Sequence, residues 1–405
     1  MRANRCPGCA GTTKPPSIRC WPRPPCPEGG PMSLPSYRIR SRRELVEALL
    51  PFAAPDTRRG VLLFCVDYGL FLLGTALALL ASHPALRIAG ALLAGFKMST
   101  LYAIAHDAAH NTLTASRGLN KAIGIVAYLT GFYNYRLRLY DHLLRHHPLV
   151  NGPQPDAYRP MTLAQYRACP LWRRAWERFI RSPNPLALMA YGAVSRLLKS
   201  EVFPKKTMPL AVRREAWLYA GLMGVYLCGF IGLIALASAG SWLVFAQNLF
   251  FALVLPFLAF QAWMAIVVYF QHTHPAVPWF EEGDERHRGF GAEELSVHMA
   301  MPRAVSALLH HAYCHAAHHV CPSIPCYRLY DAQQRLDQLM GAKAAVVPFR
   351  AGTLLDVFRR CKLYNYEAHC WTDFEGWPTS PSLVPLRKRA SRSANQSDFQ
   401  QLARA

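Results

Sequence analysis

Hydrophobic positions along the chain gather into long uninterrupted blocks rather than into the short periodic stripes of a soluble fold. Residues 61–80 (VLLFCVDYGLFLLGTALALL) form the first block, and a short link holding His83 and Pro84 leads to a second at about 85–105. Two more lie at about 216–238 and 242–270, joined by the tiny loop ASAGS. Each reaches the roughly 20 apolar residues that a bilayer-crossing helix needs. The pattern therefore predicts an all-α membrane protein with four transmembrane helices arranged as two hairpins. A weaker segment at 119–133 is broken by Gly124 and Gly131. At about 15 residues it is short for a crossing, and it is expected to lie at the interface. Everything after Phe270 is soluble in character.

Charge sets the expected orientation. The chain carries 45 basic against 24 acidic residues, a formal +21, which by itself would suit nucleic acid. No nucleic-acid motif accompanies it, and the basic residues fall between the apolar blocks. Residues 134–215 hold fifteen Lys or Arg against five acidic residues, whereas the links at 81–84 and 237–241 hold none. That asymmetry is the positive-inside pattern, so both hairpins are expected to open to the cytoplasm. A multi-pass protein of a bacterial cytoplasmic membrane, or its equivalent, is implied. Residues 1–35 read as a disordered segment and 377–405 as a disordered basic tail, leaving a membrane domain at 36–376. Cys6, Cys9, Cys20 and Cys26 resemble a zinc pattern only in the CPGC pair; their Pro/Gly-rich surroundings favour disorder, and Met32 is a candidate start. There is no secretory signal in residues 1–31. The remaining eight cysteines read as free thiols.

Histidine is where the chemistry concentrates. Of sixteen, ten fall in four short clusters: HDAAH (His106, His110), HLLRHH (His142, His146, His147), QHTHP (His272, His274) and HAAHH (His315, His318, His319). Spacings of three and four place side chains on one helical face, and neutral imidazole ligates iron, zinc or copper. One zinc site takes about four ligands, so eight to ten histidines imply two metals. His106 follows the second span and His272 the fourth, which would gather all the clusters at one face as a histidine-rich cap. Their sharing metals also requires that 119–133 not cross the bilayer. A zinc protease is disfavoured because no glutamate follows the first histidine of HDAAH. A transporter would place ligands near the bilayer midplane instead.

Other candidates are less decided. Asp107 and Asp141 adjoin cluster histidines and read either as carboxylates that orient a ring N–H or as solvated interfacial acids. Lys97 lies inside the second span, as a functional charge or a snorkelling one. His310 and His311 are undecided, His311 being a candidate support for His315. His83, His287, His298 and His369 are isolated and read as ordinary surface or interface residues.

The boxes, taken with the two hairpins, resemble the membrane fatty-acid desaturases. QHTHP, VCPSIPCYRLYDAQQRL and LYNYEAHCWTDFEG look like the acyl-lipid Δ12/ω-3 branch, and the resemblance covers about residues 60–376. It departs at the second box, where three residues rather than two follow the first histidine; related hydroxylases and ketolases vary there too. The resemblance implies that His106, His110, His142, His146, His147, His315, His318 and His319 ligate two iron ions. One histidine of QHTHP completes the set, with His272 preferred to His274. It further implies O₂ as co-substrate, a fatty acyl lipid substrate and a new double bond. The alternative product is that of a hydroxylase or ketolase acting on an alkyl chain or carotenoid. No His-Pro-Gly-Gly segment of a cytochrome b5 type is present, so electrons would come from a separate ferredoxin or cytochrome b5.

Accessibility tags near residues 150, 210 and 285 are expected to report cytoplasm, and one near 239 the opposite side. Opposite sides for 150 and 285 would separate the histidine clusters and remove any shared site.

Overall fold

The computed structural model describes residues 41–152, 158–194 and 202–384. The early cysteines, Met32 and the tail beyond 384 lie outside the described residues. Among the described residues, four helices are long and apolar enough to cross a membrane. A short amphipathic helix, α1 (Arg42–Leu49), precedes them, started by a reciprocal Ser41–Glu44 capping box. Then come α2 (Thr57–Leu80) and α3 (Pro84–Ala109). Asp56 caps α2, while the ring of His83 accepts a hydrogen bond from Ala85 N and Pro84 occupies the first turn of α3. His83 is thus an exposed cap.

These two helices approach closely because small residues line their contact. A Cβ on Gly74 would meet Ala94 N at 2.7 Å, and one on Gly90 would meet Ala78 N at 2.7 Å. Both are backbone atoms that cannot step aside, which is the small-residue packing of membrane helices. Next, α4 (Arg117–Thr130) packs against α3. Its 14 residues span about 21 Å at 1.5 Å each, less than the hydrocarbon core of about 30 Å.

After α5 (Tyr135–Asp141) the chain forms three short helices, α6 (Leu163–Ala168), α7 (Leu171–Ile180) and α8 (Pro185–Ala190). The second hairpin is α9 (Leu210–Leu236), then a continuous helical run Trp242–His272. That run divides into α10 (Trp242–Leu249), one π turn (Phe250–Val254) and α11 (Leu255–His272). Pro256 has no N–H to donate, and the widened turn beside it lets the helix pass without a break. Side chains of α9 such as Leu218 (75% exposed) and Val225 (72%) are uncovered by protein, as a lipid-facing helix requires.

The remainder caps the helices: β1 (Val297–Ala300), α12 (Arg303–Leu308), α13 (His315–Val320), α14 (Cys326–Met340), β2 (Ala345–Pro348), α15 (Ala351–Arg360), β3 (Leu363–Asn365) and β4 (Cys370–Thr372). The two pairs, β1 with β2 in parallel and β3 with β4 antiparallel, were not foreseen in an all-α reading; they are too short to show alternation. Residues 377–384, assigned to the tail on composition, return to this cap: Thr379 N donates to Trp371 O and Leu383 N to His369 O. Two isolated histidines, read from the sequence as ordinary surface or interface residues, are interior. His298 binds Asp337 at 2.6 Å, and His369 is fully buried, 3.0 Å from Asp284. Their carboxylate partners come from distant chain positions, so local sequence could not reveal them.

Replacing Gly90 by Leu is expected to cost at least about 1–3 kcal/mol and to lower the thermal midpoint in detergent markedly. Gly221→Ala, where an added Cβ meets nothing within 4 Å, should leave it unchanged or raise it by about 0.5–1 kcal/mol equivalent.

Candidate metal centre

Nine cluster histidines converge, in two neighbouring groups. His106, His110, His142, His147 and His318 form one; His146, His272, His315 and His319 form the other. Within each, one ring nitrogen per residue lies within 4.8 Å of all the rest. His274 stays outside both. Its Nδ1 accepts from Ala276 N and closes the turn after α11.

Local helical geometry deals the side chains to their groups. On α3 the four-residue spacing sends His106 and His110 together. On α13, His315 and His319 go to one group and His318 to the other. The second box carries one extra residue, and the helix absorbs it as a π turn over His142–His146. A single inserted residue in an α-helix makes such a turn. His142 and His147, five apart, thereby reach the same group while His146 reaches its neighbour. The unusual spacing is accommodated by the backbone rather than by loss of a side chain.

The nitrogens crowd in a way that hydrogen bonds alone do not satisfy. His142 Nε2 lies 2.7 Å from His106 Nε2 and 3.0 Å from His147 Nε2, which is itself 3.1 Å from His318 Nε2. In the other group His315 Nε2 faces His272 Nε2 at 3.0 Å and His319 Nε2 at 2.9 Å. A ring nitrogen offers one proton or one lone pair, so the atoms in the middle cannot serve two neighbours. His110 Nε2 is buried and unbonded. A cation in each group would use all these lone pairs at once, and the donor set fits two first-row metals. Burial, followed by the neighbouring imidazoles, holds His142, His315, His318 and His319 well below the usual histidine range. The rings are therefore neutral, the form that ligates.

Contacts behind the rings fix their direction. His272 Nδ1 donates to Leu295 O at 3.1 Å, which turns Nε2 toward the group. Gln333 on α14 accepts from Ala317 N and pins α13. Asn151, in a left-handed conformation (φ 50°), donates to His272 O and Pro278 O, tying the second box to the end of α11. The Asn151–Gly152 pair was a readable turn signal that the sequence reading passed over.

Other expected supports sit elsewhere. The nearest Asp107–His106 approach is long, 3.4 Å, and Asp107 chiefly accepts from Cys326 N at the start of α14. Adjacent helical residues diverge, so an acid beside a histidine faces another way. Asp141 pairs with Arg145 at 3.0 Å. His311 is turned to Ser306 and the ring of Tyr330. His287, expected to be solvated, bonds Val150 O at 3.0 Å and packs on Phe280. Lys97 does not snorkel: it pairs at 2.7 Å with Asp67, whose other oxygen lies 2.7 Å from His310 Nε2. Asp67, an acid inside an apolar block, was a visible signal left unread.

Six of the nine, His106, His142, His146, His272, His315 and His318, line a cavity of about 500 Å³ whose wall includes Tyr102, Met264, Val267 and Val268. The arrangement can hold two metals beside a pocket with an apolar wall.

His274 and His311 are each held at about 4, chiefly by burial. In the unfolded chain they titrate near 6.5. Between those values the unfolded chain binds more protons, so stability is complete above about pH 6.5 and falls as pH drops toward 4. Thermal midpoints taken at about pH 7.5, 6 and 5 should descend in that order; a flat series contradicts the assignment.

The sequence profile described as fatty acid desaturase matches residues 82–350. The chain is 24% identical over 274 residues to an omega-6 fatty acid desaturase, chloroplastic, of Glycine max, covering 67% of this chain and 61% of that protein. It is 27% identical over 284 residues to an sn-1 oleoyl-lipid 12-desaturase of a Picosynechococcus species, covering 68% and 76%. A Nostoc sn-1 acyl-lipid omega-3 desaturase (ferredoxin) is 23% identical over 264 residues, covering 62% and 67%. The chain thus spans 61% to 63% of the Glycine max and Spinacia oleracea chloroplast relatives.

Proposed function

The chain belongs to the fatty acid desaturase family, and from that premise we propose that it is an O₂-dependent desaturase of lipid-bound acyl chains, working with two iron ions. The observation that carries this reading is the pair of adjacent imidazole groups opening on an apolar-walled cavity. His106, His110, His142, His147 and His318 would hold one iron, and His146, His272, His315 and His319 the other. When bound, the iron pair supplies what side chains lack, activation of O₂ to an oxidant able to take hydrogen from unactivated methylenes. Zinc has no redox chemistry and could not replace it.

The chain's own residues position the substrate and keep water away. Tyr102, Met264, Val267 and Val268 would hold an acyl chain with one methylene pair beside the metals, and fixed placement of that kind is worth several orders of magnitude in rate. Electrons would arrive from a separate protein, of ferredoxin or cytochrome b5 type; the ferredoxin named for the Nostoc relative supports the first. The positive-inside distribution supports a site on the cytoplasmic face, within a membrane domain at 36–376 and with 119–133 at the interface.

Purified protein should contain about two irons per chain, and membranes from expressing cells should gain a double bond in lipid-bound acyl chains. A new hydroxyl or keto oxygen instead would favour a related hydroxylase or ketolase. One metal per chain, or full activity with zinc, would refute the iron-pair reading. His318→Ala should lower both iron and product at equal membrane abundance. His287→Ala, losing one hydrogen bond worth about 1 kcal/mol, should keep both.

A further inference from the structure

Inside the paired helices α2 and α3, the buried Asp67 forms an ion pair with the partly buried Lys97. Ionisable side chains within membrane segments are costly and mark functional pathways by default. An ion pair alone needs no third member, yet the second oxygen of Asp67 holds His310 Nε2 at 2.7 Å. His310 is buried, belongs to neither histidine group, and lines the same cavity as they do. The turn presenting it places two consecutive non-glycine residues in the left-handed region, His310 at φ 46° and His311 at 57°. Strain of this kind persists only where surroundings enforce it, and it collects at functional sites.

We propose that His310, held by Asp67 and Lys97, is the proton donor of the cavity. The proposal rests on the desaturase reading above. In that reaction two C–H bonds of a methylene pair break, a second carbon–carbon bond forms, and O₂ is reduced by four electrons to two waters. Two electrons and two hydrogens come from the acyl chain, two electrons come from the donor protein, and two further protons must come from solvent. Those two need a route to the reacting atoms. The cluster imidazoles are unsuited to the task, because their lone pairs are committed to metal.

The geometry assigns the atoms. Asp67 accepts the Nε2–H and fixes that tautomer, so Nδ1 is the ring atom left to take up and release a proton at the cavity wall. Lys97 already balances the charge of Asp67. Other charged groups at this corner have their own partners: Arg303 binds Asp331, and Asp107 accepts from Cys326 N. Arg59 stands over the ring of Tyr327.

The test compares wild type with His310→Gln, which can still donate to Asp67 but carries no proton, and with Asp67→Asn, in membranes supplied with O₂ and the reduced electron donor. Iron per chain and KM should be unchanged in both. The kcat should fall about 100-fold or more, the range for loss of a positioned acid, and its solvent deuterium isotope effect should exceed that of wild type. Asp67→Glu, which keeps the carboxylate, should recover part of the rate. Iron lost in step with activity would overturn the proposal by making the three residues a brace for the metal site. Wild-type kcat and isotope effect in His310→Gln would overturn it too, and that variant decides alone if Asp67→Asn does not accumulate. A wild type with neither paired iron nor double-bond product would instead refute the desaturase reading, and the proposal with it.

Discussion

Nine imidazole lone pairs brought to two neighbouring points form the constraint on which the rest of the structure depends. Neutral rings packed nitrogen to nitrogen at about 3 Å gain little from one another, and a buried donor or acceptor left unmatched costs on the order of 1–3 kcal/mol. Cations in the two groups would complete such a centre, provided that the surrounding chain holds every ring against alternatives. The four segments that supply the rings are the end of α3, the π turn after α5 with His147 just beyond it, the end of α11, and α13. Each is immobilised by a contact unrelated to ligation.

Those contacts explain why a large cap surrounds a small centre. Leu295 O orients His272, Gln333 holds the start of α13, and Asn151 joins the second box to α11. The β3–β4 hairpin reaches back so that Trp371 Nε1 donates to His274 O at 2.9 Å, anchoring the turn after α11. Deep burial keeps the rings of His142, His315, His318 and His319 neutral. Structure and protonation state are thus set by one cause, the exclusion of water.

The helices below perform a complementary task. Glycines at 74 and 90 bring α2 and α3 into backbone contact, and a Cβ at Gly95 would meet Pro256 O at 2.5 Å, so α11 also closes on α3. That tight core leaves α9 to face outward and places the ends of α3 and α11 side by side, where their histidines meet. It also buries Asp67 against Lys97, putting a charged group within reach of the cavity wall.

Much of this was legible in the sequence. Apolar run length alone predicts the four crossing helices, because a bilayer demands internally bonded segments of fixed length. Histidine spacing of three and four identifies the box residues, because it follows from the helical repeat, and their number implies two metals. What sequence could not supply was anything decided by meeting at a distance. Whether His272 or His274 turns inward depends on Leu295, 23 residues on; Lys97 is a paired charge rather than a snorkelling one because Asp67 stands on the neighbouring helix. The extra residue in the second box looked like a departure until the backbone took it up as a π turn. Asp107 and His311 sit beside or near box histidines in sequence but face other partners, since neighbours along a helix point apart. Local pattern fixes the segment and its face; only packing selects which side chains share a point.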